Sequence, residues 1–182
     1  MKKIFLVLSF IVFSSAYAGG HITKKQKESL DKLLKPGEEL HILVMNVEAF
    51  STTKGVEFAT RFLNSHRPLI AIDESTTIKN PKAKRTKNIL SLAKEAKYRR
   101  ILTGSPVTQS PMDLWAQMDF LDPEILGQQS YYAFRTRYAV VITANAAGGT
   151  HKYQKIVKFK NLAQLGQLVS PHSYRILKKD CL

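Results

Sequence analysis

Apolar and polar positions alternate along this chain in segments short enough to read one by one. Residues 40–46 and 69–72 are brief apolar runs of the kind that form strands buried on both faces of a parallel sheet, and residues 99–102 form a similar short strand. Between them the period changes to that of a helix. Val56, Phe58, Ala59, Phe62 and Leu63 make one apolar face over residues 54–66, and Ile89, Leu90, Leu92 and Ala93 make another over residues 81–97. The second helix is long enough for a right-handed crossover between parallel strands. Residues 23–35 predict a further amphipathic helix, with Thr23 and Gln26 as a capping box and Pro36-Gly37 as the stop.

Beyond residue 106 the pattern predicts a helix over 111–121 that begins at Ser110-Pro111, with Trp115 in its core-facing stripe. A short aromatic helix follows over 130–138. Residues 138–143 and 151–159 alternate in the strand manner around Asn145-Ala-Ala-Gly-Gly149 and predict a β-hairpin. Residues 161–169 predict a last amphipathic helix, and residues 174–177 a final strand or linker. The chain is therefore expected to be α/β: an incomplete parallel sheet flanked by helices, with a β-hairpin insertion near the C-terminus.

Composition narrows the class of partner. With 182 residues, 44% apolar and 23% charged, the chain can build one soluble domain with a real core. Its net charge of +14 favours a polyanion, nucleic acid first and an anionic membrane second. Cys181 stands alone, so no intramolecular disulfide forms, and the scattered histidines have no zinc spacing.

Residues 1–18 have the three-part anatomy of a secretory signal: basic Lys2-Lys3, an apolar run over 4–13, and the small-residue pattern Ala16-Tyr17-Ala18. That run is too short to span a bilayer, so no stable membrane association is expected once the segment is removed. The remainder stays strongly basic, because Lys2 and Lys3 are the only charged residues lost.

The candidate chemistry lies at the ends of the two central strands. Asp73 and Glu74 follow the run at 69–72, and Thr103-Gly104-Ser105-Pro106 follows the strand at 99–102. Open α/β sheets place ligands at such carboxyl ends. One carboxylate there can hold Mg²⁺ directly or through water, and a second can orient the water that attacks a γ-phosphate.

Taken in order, Asp73-Glu74, Ile78-Lys79-Asn80, Leu102-Thr-Gly-Ser-Pro106, Leu114-Trp115 and Phe120-Leu121-Asp122-Pro123 resemble the Swi/Snf-type branch of superfamily 2 DNA helicases and translocases, in a compact, phage-like form. The run from Leu168 to Asp180 resembles the family's exit from its first RecA-like lobe. The resemblance covers residues 40–180 and implies that residues 21–180 are part of that ATP-binding lobe.

It also implies ATP and Mg²⁺ as cofactors, Asp73 as the Mg²⁺ carboxylate (through water), and Glu74 as the residue that orients the attacking water. Thr103, Gly104, Ser105 and Pro106 become the motif that couples the nucleotide site to DNA. Duplex DNA is the implied partner, gripped by its backbone without sequence preference through Asn46, Ser51, Thr52, Lys79, Lys82 and Arg85.

Two departures qualify that picture. Ser75-Thr76 stands where the family usually has Ala/Gly-His, which removes the histidine's coupling role. No Gly-x-x-x-x-Gly-Lys-Ser/Thr occurs in the sequence, and the second RecA-like lobe with its arginine finger is missing. The expectation is thus a fragment of an ATP-dependent DNA helicase or translocase, inactive alone, whose sheet lacks its P-loop strand. Export and ATP-driven DNA work do not fit together: the signal-like start predicts export, the helicase resemblance a cytoplasmic setting. The rival expectation is an exported, non-enzymatic basic protein that binds an anionic polymer or surface.

Overall fold

The computed structural model describes residues 5–8, 28, 31–35, 40–66, 68–145 and 152–177. Four parallel strands form the central sheet: β1 (Phe5–Leu8), β2 (Ile42–Val44), β3 (Leu69–Ile72) and β4 (Tyr98–Ile101), in the order β2-β1-β3-β4. β1 aligns Phe5 with both Ile42 and Leu69, and β3 runs in register with β4 from Leu69↔Tyr98 to Ile72↔Ile101. The signal-like segment thus contributes an interior strand of the sheet at Phe5–Leu8, and its other residues lie outside the described ones. Among the described residues β2 and β4 are the edge strands of this sheet.

Helix α1 (Thr53–His66) buries Phe58, Ala59, Phe62 and Leu63 against the sheet. Its start is fixed locally: the Thr52 hydroxyl accepts from Gly55 N at 3.1 Å and donates to Ala49 O at 2.7 Å. A Cβ at Gly55 would lie 2.2 Å from Ala49 O, so this turn admits only glycine.

Helix α2 (Lys84–Ala93) buries Thr86, Ile89, Leu92 and Ala93 and leaves lysines outside. It is shorter than the 81–97 expected from periodicity. At its start, Asn80 holds a turn, with its Oδ1 accepting from Lys82 N and its carbonyl from Ala83 N. At its end, i→i+3 bonds from Lys94, Glu95 and Ala96 tighten and close it. Together these elements bury a first core that includes Leu43, Phe50, Phe62, Ile72, Ile78 and Phe120.

The chain then builds a second core. Ser110 caps a 3₁₀ turn, Pro111–Asp113, that runs into α3 (Leu114–Leu121), and Ser130 caps α4 (Tyr131–Tyr138). The hairpin is present as β5 (Ala139–Asn145) and β6 (Lys152–Phe159), antiparallel with a bulge between Val140 and Val141. Helix α5 (Leu162–Val169) follows.

Phe134, Tyr138, Met118 and Leu165 are buried here, while Ile101 and Leu121 pack against both cores. Trp115 is only half-buried and meets Tyr131 edge-on at 5.8 Å. Residues 174–177 form no strand, and Tyr174 is 89% exposed, so this stretch is a linker. Of the helix expected over 23–35, residues 28 and 31–33 are helical and most of the rest lies outside the described residues.

Candidate functional site

The carboxyl ends of β3 and β4 lie side by side because their ladder continues past the strands. Leu102 N donates to Ile72 O at 2.8 Å and Ser75 N donates to Leu102 O at 3.0 Å. Asp73 and Glu74 are exposed at this end, and Asp73 Oδ1 accepts from Glu74 N at 3.0 Å. Glu74 has left-handed backbone angles, φ 50° and ψ 60°. For a residue with a Cβ that conformation is uncommon and costs on the order of 1 kcal/mol or more, the kind of strain that gathers at functional sites.

The turn after β4 is held by its own hydroxyls. Thr103 Oγ1 accepts from Ser105 N at 3.2 Å, and Ser105 Oγ donates to Val107 O at 2.9 Å. Gly104 sits at the bend of this turn with a φ that is not positive, and an added Cβ would meet nothing within 4 Å. The local turn does not require glycine there.

The two turns are joined by residues that periodicity alone did not single out. Ser75 Oγ donates to Gln117 Oε1 at 2.6 Å, and Gln117 Nε2 donates to Pro106 O at 2.7 Å and to Asp113 O at 2.8 Å. Ser75 and Gln117 are fully buried. Next to them, Asp113 Oδ2 accepts from Thr108 N, Thr108 Oγ1 and Gln109 N at 2.8–3.0 Å. Burial opposes the charge of Asp113, but these hydrogen bonds and the Lys79 cation outweigh it and hold its carboxyl below the ordinary value. The signal for this network in the sequence was a glutamine in the otherwise apolar Leu114-Trp-Ala-Gln-Met.

The residues expected on a nucleic-acid track fall into two groups. Asn46, Ser51 and Thr52 flank or end the 3₁₀ helix Val47–Ser51, which packs on α2 through Asn88 Nδ2–Phe50 O (2.7 Å) and Arg85 Nη1–Glu48 Oε1 (2.6 Å). Asn46 Oδ1 accepts from Glu48 N, and Thr52 caps α1, so both side chains have structural roles.

Among the cations, Lys79 Nζ donates to Thr108 Oγ1 at 2.6 Å and lies 3.9 Å from Asp113 Oδ2. Arg85 is paired with Glu48 and also donates to Thr77 O. Lys82 is exposed. The structure thus brings Asn46, Ser51, Thr52 and Arg85 together, and it ties Lys79 into the network between the two turns.

Among the described residues no group of three His, Cys, Asp or Glu could hold a metal. Asp73 and Glu74 present exposed carboxylate oxygens, the ligand type that a hydrated Mg²⁺ takes. These residues provide no cradle for the phosphates themselves.

The chain belongs to the SNF2-related domain family, whose model matches residues 22–181. It is 33% identical over 111 residues to the TATA-binding protein-associated factor MOT1 of Saccharomyces cerevisiae, covering 61% of this chain and 6% of that protein. It is 33% identical over 90 residues to the mouse helicase-like transcription factor, covering 49% of this chain and 8% of that one. A solved Sulfolobus solfataricus SWI2/SNF2 ATPase core in complex with dsDNA superposes with a TM-score of 0.48 and 21% identity, over 93% of this chain and 32% of that one. The chain therefore spans a small part of each of these proteins. Among the described residues no helix is long and apolar enough to cross a membrane.

Proposed function

We propose that this chain, over residues 21–180, is part of the first ATP-binding lobe of a DNA translocase, and that it works with a phosphate-binding loop and a second lobe supplied from outside its sequence. The observation that carries this reading is the joining of the two strand-end turns by Ser75, Leu102, Gln117 and Pro106. Such a link lets a displacement at Asp73-Glu74 reach Thr103–Pro106 without a histidine.

In this reading Asp73 holds Mg²⁺ through water and Glu74 orients the attacking water. The ion would supply charge neutralisation between the phosphates of ATP. Asn46, Ser51, Thr52 and Lys82 lie along the DNA backbone and position it without reading sequence. Because Asn46 and Thr52 use their side chains as caps, Lys82 carries more of that contact. Lys79 and Arg85 reach phosphate only by leaving Asp113 and Glu48.

Two measurements test the proposal. Duplex DNA should bind regardless of sequence and weaken steeply with salt. The chain alone should not turn over ATP, with or without DNA. A DNA-stimulated turnover that Glu74→Gln abolishes would show that the chain is a complete motor and overturn this division of labour.

A further inference from the structure

The second core is basic in an unusual way. From Ile125 to Leu177 the sequence contains no Asp or Glu, while Arg135, Arg137, Lys155, Lys158 and Lys160 all fall there. Neither Lys79–Asp113 nor Arg85–Glu48, ion pairs among the described residues, involves residues 125–177 of this unit. Its cations have neutral partners instead. Arg137 Nε and Nη2 both donate to Gln164 Oε1, at 3.1 and 2.9 Å, and Arg135 donates to Gln154 Oε1. Such bonds orient a guanidinium and leave its charge unneutralised.

Two of these cations, Arg137 and Lys160, border a shallow, open concavity. A groove of about 610 Å³ lies between α4 and the start of α5, lined in part by Gln128, Tyr132, Thr136, Arg137, Lys160 and Asn161. Its wall is pinned by backbone: Lys160 N donates to Tyr138 O at 2.9 Å and Asn161 Nδ2 to Arg137 O at 2.9 Å. Asn161 takes a left-handed φ of 55° to make this junction. Lys160 is thereby placed at the mouth of the groove with its side chain exposed. Two residues earlier Lys158 pairs with Val140, and Lys155 with Ile142, on the hairpin face opposite core-packed Val141 and Ile156.

We infer that this groove is a second nucleic-acid contact, separate from the Asn46–Lys82 region, in which Arg137 and Lys160 hold backbone phosphates. A pre-oriented arginine and a lysine across a concave surface suit a phosphodiester strand. No Asp or Glu occurs in residues 125–177, and Arg137 is oriented by the neutral Gln164. The inference rests on the DNA-bound reading above and extends it to a surface outside the two strand-end turns.

The test uses the full 182-residue chain, a short labelled duplex and a salt titration. Arg137→Gln/Lys160→Gln should weaken binding roughly tenfold at moderate salt and make the log–log salt slope shallower by about two. Lys160→Gln alone, at an exposed position, should give about half of that slope change. Unchanged far-ultraviolet circular dichroism would show that the variants fold.

If the parent chain binds, Lys82→Gln weakens it and the double variant does not, the inference is overturned while the proposed function stands. If the parent chain fails to bind duplex even at low salt, both fall. Loss of binding to phosphatidylserine vesicles with duplex binding intact would also overturn it, assigning the groove to a membrane surface.

Discussion

The two cores treat their charged and polar groups in opposite ways. Around the parallel sheet, the buried residues Ser75, Thr86, Asp113 and Gln117 all have partners inside the protein, and Lys79 and Arg85 face carboxylates. Around the hairpin the cations lean on neutral glutamines, and no carboxylate is available in the sequence from Ile125 to Leu177. A buried, fully partnered polar network specifies one arrangement of the backbone. A cation held by an amide remains available to an outside anion. The first region is therefore built to transmit position, the second to attract charge.

The largest effects should come from breaking each core. Phe62→Ala and Phe134→Ala each remove a fully buried ring and should destabilise by about 3–5 kcal/mol. Because Ile101 and Leu121 pack on both cores, each variant should shift a single unfolding transition. Two separated transitions in denaturant titration of Phe134→Ala would show instead that the cores are independent.

Next in size is the link between the turns. Gln117→Ala leaves the Ser75 hydroxyl and the Pro106 carbonyl without their partner and should cost about 2–3 kcal/mol. Combining Ser75→Ala with Gln117→Leu should recover part of that loss, since both ends of one bond are then removed. Additive losses in a double-mutant cycle would mean that the pair is not coupled.

Asp113→Asn should cost about 1–2 kcal/mol at neutral pH. The folded-state pKa of Asp113 is lowered, so its contribution is present above the unfolded value of 3.8 and is lost as pH falls through the folded one. Stability of the variant, followed by urea titration across acid pH, should accordingly fall less on acidification than that of the parent.

The smallest effect has the opposite sign. Burial raises the pKa of Asp119, an effect only partly offset by the Lys94 and Arg99 cations. Its charge therefore opposes folding above the folded pKa, and that penalty is relieved as pH drops toward 3.8. Asp119→Asn should stabilise the chain by less than about 1 kcal/mol at neutral pH, measured as a raised midpoint.

Most of this molecule was legible in its sequence. Short runs located the strand at 69–72 and, one residue late at 99–102, the strand observed at 98–101, and period-3.6 and period-two patterns located the helix through Phe58 and Phe62 and the hairpin, because those periods reflect which side of each element faces a core. The order of motifs placed Asp73-Glu74 and Thr103–Pro106 at neighbouring strand ends. Local chemistry also set the caps at Thr52, Ser110 and Ser130, where a side chain and the amides it satisfies are only two or three residues apart.

Tertiary structure alone decided the rest. Phe5–Leu8 reads as the apolar run of an export signal, yet it pairs between β2 and β3, since a short apolar strand carries no mark of which neighbours it will join. Lys79 and Arg85 are expected from the resemblance to meet DNA phosphates, yet the fold sets Asp113 and Glu48 beside them, 34 and 37 residues away in the chain. Gln117 reaches Ser75 across 42 residues. Periodicity records burial, which is a property of one residue and its face. Pairing depends on two distant residues at once, and it exists only after the chain has closed.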